Sequence, residues 1–468
     1  MALLHPDRLF PLEPEARALA RDLHARMAEE PLICPHGHTD PRWFAEDAPF
    51  PDPARLFVTP DHYVFRMLCS QGVSLDALGV PRADGGAVEE DGRRIWRLFA
   101  THYHLFRGTP TRLWLDHAFE TVFGLSERLG PGNADTHYDH IADCLARPEF
   151  RPRALHDRFG IAALATTDGA LDDLRWHRAI RDSGWHGRVL PTYRPDAVVD
   201  PETPGFADNV AQLGALTGCD TGRWEGYLEA HRARRLAFRA LGATATDHGH
   251  PTATTCDLPQ PEAAALFDRV LAGRGTVAEH ETFRGQMLTE MARMSLEDGL
   301  VMQIHAGSWR NHHAGVLARH GRDRGFDIPR RTDFVGALHP LLNAVGLKPG
   351  LTVILFTLDE ATLSRELAPL AGVYPALRLG PPWWFLDSAE GMMRFRTATT
   401  ETAGLHNTVG FNDDTRAFCS IPARHDVARR VDCAWLATQV ATGRLDRDEA
   451  FELAPDFAAG LARRAYRL

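Results

Sequence analysis

The residues best suited to chemistry stand early in the chain, in His36-Gly37-His38. Positions i and i+2 of an extended segment face the same way, so two imidazoles at this spacing can converge on one metal ion. Imidazole suits zinc and similar ions. The spacing by itself is weak, because His102-Tyr103-His104 and His248-Gly249-His250 share it. The former lies in a stretch of helical periodicity, where positions two apart do not face each other. The latter is flanked by Gly249 and Pro251, which favour a turn. Only the first pair directly follows a run that reads as a strand, Leu32-Ile33-Cys34.

A catalytic ion needs about three protein ligands and an open position. Asp414, after the last predicted strand, is the natural third ligand, with Asp413 its rival. Lys348, the only lysine, precedes a predicted strand and so belongs to the wrong end of it to bridge two metals as a carbamate. One divalent ion is therefore expected, zinc first among the candidates.

These residues need a scaffold that brings the two ends of the chain together. Short apolar runs alternate with helical stretches: Leu32-Ile33-Cys34, Ile161 to Ala165, Arg188-Val189-Leu190, Ala243-Thr244-Ala245, Leu300 to Ile304, Leu351 to Phe356, Ala376 to Leu379, and Thr408-Val409. Eight such units in one α/β sheet predict a closed (β/α)8 TIM-like barrel, in which the first and last strands are neighbours and chemistry sits at the C-terminal strand ends. Polar residues follow nearly every run: Thr167 and Asp168, Arg194, Asp247 and His248, His305, Thr357 and Asp359, Trp383 and Trp384, Asp414 and Arg416. The bland reading of each is a polar loop or a helix cap.

The predicted organisation is an N-terminal helix and first strand over 1–48, an inserted helical subdomain over 49–160, and the rest of the barrel with closing helices over 161–468. Within the insert, Tyr63 to Cys69, Ile95 to Phe106 and Arg112 to Phe123 read as helices, and Arg82 to Gly92 as a surface loop.

Composition excludes several classes. The 468 residues are 44% apolar, enough for a large core, yet no run approaches the roughly eighteen apolar residues of a membrane span. Asp7, Arg8, Glu13 and Glu15 interrupt any signal-peptide core. A net charge of −10 argues against nucleic acid as a partner. Seven cysteines without a CxxC pair argue for a reducing compartment, the cytoplasm. Homo-oligomers remain compatible with everything in the sequence.

Longer stretches, in order along the chain, resemble the uronate isomerases of the amidohydrolase superfamily. His36-Gly37-His38 is followed by Asp61-His62-Tyr63 with Arg66, Thr166-Thr167-Asp168 with His177, and Val189-Leu190-Pro191-Thr192-Tyr193-Arg194-Pro195-Asp196. Then come Met302 to Gly307 with Arg310-Asn311, Gly380-Pro381-Pro382-Trp383-Trp384-Phe385, and Asp414-Thr415-Arg416 with Phe418 and Arg424-His425.

The resemblance implies a metal-dependent isomerase that interconverts D-glucuronate with D-fructuronate, or D-galacturonate with D-tagaturonate, by moving a proton from C2 to C1 through a cis-enediol. It implies His36, His38 and Asp414 as metal ligands, with Asp414 also the base. It implies Tyr63 at the C2 hydroxyl, Arg416 at the C1 carbonyl, and His62, Arg194, His305, Arg310, Trp383 and Trp384 around a small hexuronate substrate. The residue-level alternatives are a core tyrosine at 63, a surface pair of Arg194 with Asp196, and a packing role for the tryptophans. Gly37, Thr39, Asp413 and His250-Pro251 depart from the family pattern. Two other functional classes fit the same barrel: a metal-dependent hydrolase, which has no need of Tyr63 with Arg416, and a catalytically silent sugar-acid-binding protein.

Overall fold

Periodicity that alternates short apolar runs with helices folds here into a ring of parallel strands. The computed structural model describes residues 3–468. Leu32–Cys34 (β1) pairs in parallel with Ile161–Ala165 (β2), and β2 with Val189–Leu190 (β3). Both chains continue past a short interruption and pair again at Asp168–Gly169 and Tyr193–Arg194. Tyr193 pairs with Thr246 of Ala245–His248 (β4). Val301–His305 (β5), Val353–Phe356 (β6) and Leu377–Leu379 (β7) follow, each parallel to the one before.

The eighth position is reduced to a single bridge between Leu379 and Thr408. From there the Asp414 N–H donates to the His36 carbonyl at 3.2 Å, and the His38 N–H to the Thr415 carbonyl at 2.9 Å. These bonds close the barrel and set the two ends of the chain side by side, as a barrel requires.

One strand lies later than its apolar run suggests. The fourth was expected at Ala243-Thr244-Ala245, whereas β4 begins at Ala245 and ends at His248. Thr246, Asp247 and His248 are polar and so do not read as a strand, yet all three are fully buried. Internal partners make that tolerable: Thr246 Oγ1 lies 3.0 Å from His248 Nε2, and Asp247 Oδ1 lies 2.6 Å from His305 Nδ1.

Between β1 and β2 the chain forms helices, among them His62–Cys69, Gly92–Thr101, Pro110–His117 and Ala134–Leu145. In Gly92–Thr101 the buried residues Ile95, Trp96, Phe99 and Ala100 make one stripe at helical spacing. That stripe shares a single apolar cluster with Leu32 of β1, Ile161 and Leu164 of β2, and Val189 of β3. At roughly 1.5–3 kcal/mol for each large side chain removed from water, this shared cluster fixes the helices rigidly against the barrel.

After Thr408, the 21-residue helix Ile421–Ala441 packs on the N-terminal helix Pro14–Ala28, and Tyr466, in the last helix, is fully buried. Tyr466 packs with Ala245, Val301 and Ile354, and its hydroxyl meets Gln303 Oε1 at 3.1 Å and Asn412 Nδ2 at 2.6 Å. It plugs the end of the barrel opposite the strand C-termini. All seven cysteines are unpaired, and no helix among the described residues is long and apolar enough to cross a membrane.

Candidate active site

The C-terminal strand ends surround a cavity of about 1130 Å³, somewhat larger than ordinary small-molecule sites of roughly 300–1,000 Å³. Its wall includes His36, His38, His62, Arg194, His305, Arg310, Trp383, Trp384, Asp414 and Arg416. Every site residue expected from the sequence lies on this wall except Tyr63.

His36 and His38 extend from the end of β1, and Asp414 comes from the segment that closes the ring. Asp414 Oδ1 lies 3.5 Å from His36 Nε2 and 3.1 Å from His38 Nε2. Ligand bonds of 2.0–2.1 Å in a tetrahedron put neighbouring donors about 3.3 Å apart, so the set has the size of a zinc-type site. The buried Oδ1 of Asp414 has no hydrogen bond of good geometry. Two imidazoles, a carboxylate and an orphaned oxygen facing them fit a divalent cation.

Burial and the nearby Arg416 charge push His38 down to about 4, which leaves its imidazole neutral and able to ligate. Burial would raise Asp414, but the facing imidazoles, His38 first, then His36 and His305, hold its carboxyl far below the ordinary range. Its backbone sits at φ +44°, a strained value for a non-glycine residue at a site of this kind.

The neighbouring carboxylate turns away. Asp413 is buried beside His425 Nε2 at 3.6 Å and forms a compact group with Cys34 behind the cavity wall. Asp414, not Asp413, therefore faces the histidine pair. Neither His102 with His104 nor His248 with His250 joins a group that could hold a metal among the described residues. Lys348 is exposed in the loop before β6, at the opposite end of the barrel. At Gly37 a Cβ would meet only ordinary contacts, 3.4 Å from the Ala165 carbonyl oxygen, so the structure does not demand glycine there.

His305 stacks on His36 with ring centroids 4.6 Å apart. Its Nδ1 is engaged by Asp247 and its buried Nε2 has no partner. Asp247 also meets Arg194 Nη1 at 3.2 Å, and Arg194 Nε bonds Asp196 at 2.7 Å. The expected pair of Arg194 with Asp196 thus exists, but in the cavity wall. Although burial raises it, Asp247 is held well below the usual range by His305 and Arg194. Arg310 Nη1 meets Asp327 Oδ2 at 3.2 Å. Arg416, by contrast, forms no ion pair or side-chain hydrogen bond among the described residues, and its buried Nε is unpartnered.

Tyr63 stands one layer back. The Asp61 side chain caps the helix His62–Cys69 by accepting the Tyr63 N–H at 2.8 Å, which aims His62 and Tyr63 toward the barrel. Tyr63 is 4% exposed, and its ring lies 4.9 Å from His62 and 5.0 Å from Trp384. Its buried hydroxyl has no partner. Trp384 covers it from a backbone at φ +53°. Sequence reasoning gave no role to Asp247 or Asp323, which also line the cavity. Asp323 carries a weaker signal still, standing exposed in a loop with no strand before it, where Arg416 and Arg310 hold its carboxyl down to about 2.

The whole chain has close relatives. Residues 10–458 match the glucuronate isomerase family. The uronate isomerase of Rhizobium meliloti is 65% identical over 466 residues, covering 100% of this chain and 99% of that protein. That of Mesorhizobium japonicum is 64% identical over 468 residues and covers 100% of both. The crystal structure of glucuronate isomerase from Caulobacter crescentus, 58% identical, superposes with a TM-score of 0.97 over 99% of this chain and 97% of that one. With its barrel, its cavity and these full-length matches, the chain belongs to the glucuronate isomerase family.

Proposed function

We propose that this isomerase interconverts an aldose hexuronate, glucuronate or galacturonate, with its ketose by moving a proton between C2 and C1 through a cis-enediol. The observation that carries the reading is the convergence of His36 Nε2, His38 Nε2 and Asp414 Oδ1 in a cavity that also holds the unpaired guanidinium of Arg416. C2 is oxidised to a carbonyl as C1 is reduced to an alcohol in the same molecule, so no organic cofactor is needed.

His36, His38 and Asp414 would hold one divalent ion, zinc by its donor set, and a bound ion supplies a Lewis acid that anchors the substrate's oxygens and acidifies a hydroxyl. Asp414 accepts the C2 proton. Arg416 donates to the C1 oxygen as negative charge develops there, which is where a fixed donor acts most strongly. The protonated Asp414 then returns a proton to C1 as the C2 hydroxyl passes its own proton to the C1 oxygen, so that atoms and electrons balance within the substrate. Tyr63 serves that exchange between neighbouring oxygens, and because its hydroxyl lies behind His62 and Trp384, the indole must yield for it to do so. Arg194 and Arg310, already paired with carboxylates, act as hydrogen-bond donors to the sugar acid rather than as free charges. His62, His305, Trp383 and Trp384 shape the pocket. The unpaired cysteines support a reducing, cytoplasmic setting.

The test combines metal analysis with isotope exchange. Purified protein should carry close to one divalent ion per chain, and His38→Ala should lose both ion and activity while staying folded. During isomerisation in heavy water, deuterium should appear at C1 of the ketose. Complete retention of the original C2 hydrogen over prolonged equilibration, or a fully active His38→Ala variant, would overturn the proposal.

A further inference from the structure

We infer that Arg424 is a positioning residue that holds three parts of the site in register: the turn bearing Trp384, the peptide leading into Asp414, and the ring of Tyr63. Arg424 lies outside the cavity wall and is 1% exposed. Its Nη1 donates to Asp387 Oδ2 at 2.8 Å and to the Asp413 carbonyl at 2.7 Å. Its Cζ stands 3.9 Å from the Trp114 ring centroid and 4.7 Å from that of Tyr63.

These contacts fall where the backbone most needs support. Trp384 at φ +53° opens the single turn Trp384–Leu386, and Asp387 is the residue that ends it. Asp414 at φ +44° directly follows the carbonyl that Arg424 binds. A bulky residue such as Trp384 adopts the left-handed region only where its surroundings over-determine it, whereas an aspartate enters it more readily; Arg424 touches the flank of both. It also braces Tyr63, whose N–H is tied only to the Asp61 cap and whose hydroxyl is tied to nothing.

Arginine suits the place because its planar group can stack against two rings while its edge donates to two acceptors, which a lysine ammonium cannot do. The guanidinium is also the strongest charge acting on the Tyr63 phenol, offsetting part of the rise that burial imposes. Asp387, raised to about 7 by burial, is in turn held by Arg424.

The inference rests on the reading that Asp414 and Tyr63 act on the substrate. It is tested with Arg424→Lys, Arg424→Met, Asp387→Asn and Tyr63→Phe, each assayed for turnover, Michaelis constant, metal content and near-UV circular dichroism. Misplacement of reacting groups by an ångström can cost about a hundredfold, so Arg424→Met should lose about that in kcat with KM little changed and one metal per chain. Arg424→Lys should recover only part of the loss, and Asp387→Asn should show a smaller loss in the same direction.

Wild-type kcat in Arg424→Lys overturns the inference, as does a loss confined to KM. If Arg424→Met does not fold, the lysine and Asp387→Asn variants decide, and wild-type kcat in Asp387→Asn counts as refutation. Tyr63→Phe separates the two readings. Full activity there refutes the role of Tyr63 itself, whereas lost activity there with wild-type turnover in Arg424→Lys refutes only the positioning role.

Discussion

At the scale of single residues, the arginines of the cavity divide by whether their charge is already engaged. Arg194 meets Asp196 and Asp247, and Arg310 meets Asp327, while Arg416 has no such partner. A guanidinium cannot act as a base, so under the proposed reaction Arg416 serves a negative charge that forms during turnover. Removing one such donor typically costs about 10²–10³ in turnover. Arg416→Met should therefore lose that much in kcat with metal retained, and Arg416→Lys should recover part of it. Steady-state kinetics decide the matter: an effect confined to KM would make the residue a uniform binding group and shift attention to Arg310. The histidine pair, Asp414 and Arg416 were legible from residue type, spacing and motif. Asp247 was legible only as a polar residue at a strand end; its pairing with His305 and Arg194, like Asp387 and the contacts of Arg424, was not, because a buried pair between positions far apart in sequence leaves no local pattern.

At the scale of elements, the site depends on turns stacked against helix ends. Ser388 caps the helix Ala389–Ala403 by accepting the Gly391 N–H, and the preceding turn carries Trp383 and Trp384. A Cβ on Gly391 would stand 2.1 Å from the Leu386 carbonyl oxygen. That neighbour is backbone, so it can give way only if the tryptophan turn shifts. Gly391→Ala should destabilise by roughly 1–3 kcal/mol, as overpacking does, and should lower turnover as well. An unchanged urea midpoint would show that the turn is more pliable than this geometry allows. The helix over 62–69 was predictable from its periodicity, and β4 was not, because Thr246, Asp247 and His248 are polar residues made strand-like only by burial among partners from other strands.

At the scale of the molecule, burial has made several histidines outside the proposed ligand set poor bases. Desolvation lowers His231 and His248 to about 3 and His177 to about 4. An unfolded histidine titrates near 6.5, so above that pH neither state takes up the proton and these groups carry no penalty. Below it the unfolded chain binds protons that the native chain refuses. Stability is thus present above about 6.5 and falls as the pH drops toward the folded values, by about 1.4 kcal/mol per pH unit for each histidine. Urea unfolding of the metal-loaded protein should show a markedly lower midpoint at pH 5 than at pH 7. A flat profile would mean that these side chains take up protons in the native state.

By itself the sequence determined the barrel class, the pairing of a HxH segment with a late carboxylate, and the family resemblance. These follow from local periodicity and from short motifs whose residues are neighbours in the chain. Only the tertiary structure decided which of Asp413 and Asp414 turns to the histidines, that Tyr63 waits behind Trp384, and that Arg416 alone among the expected arginines is unengaged. Those outcomes depend on the direction of individual side chains. That direction is set by strand closure between residues 36–38 and 414–415, and by packing among helices that the sequence separates by hundreds of positions.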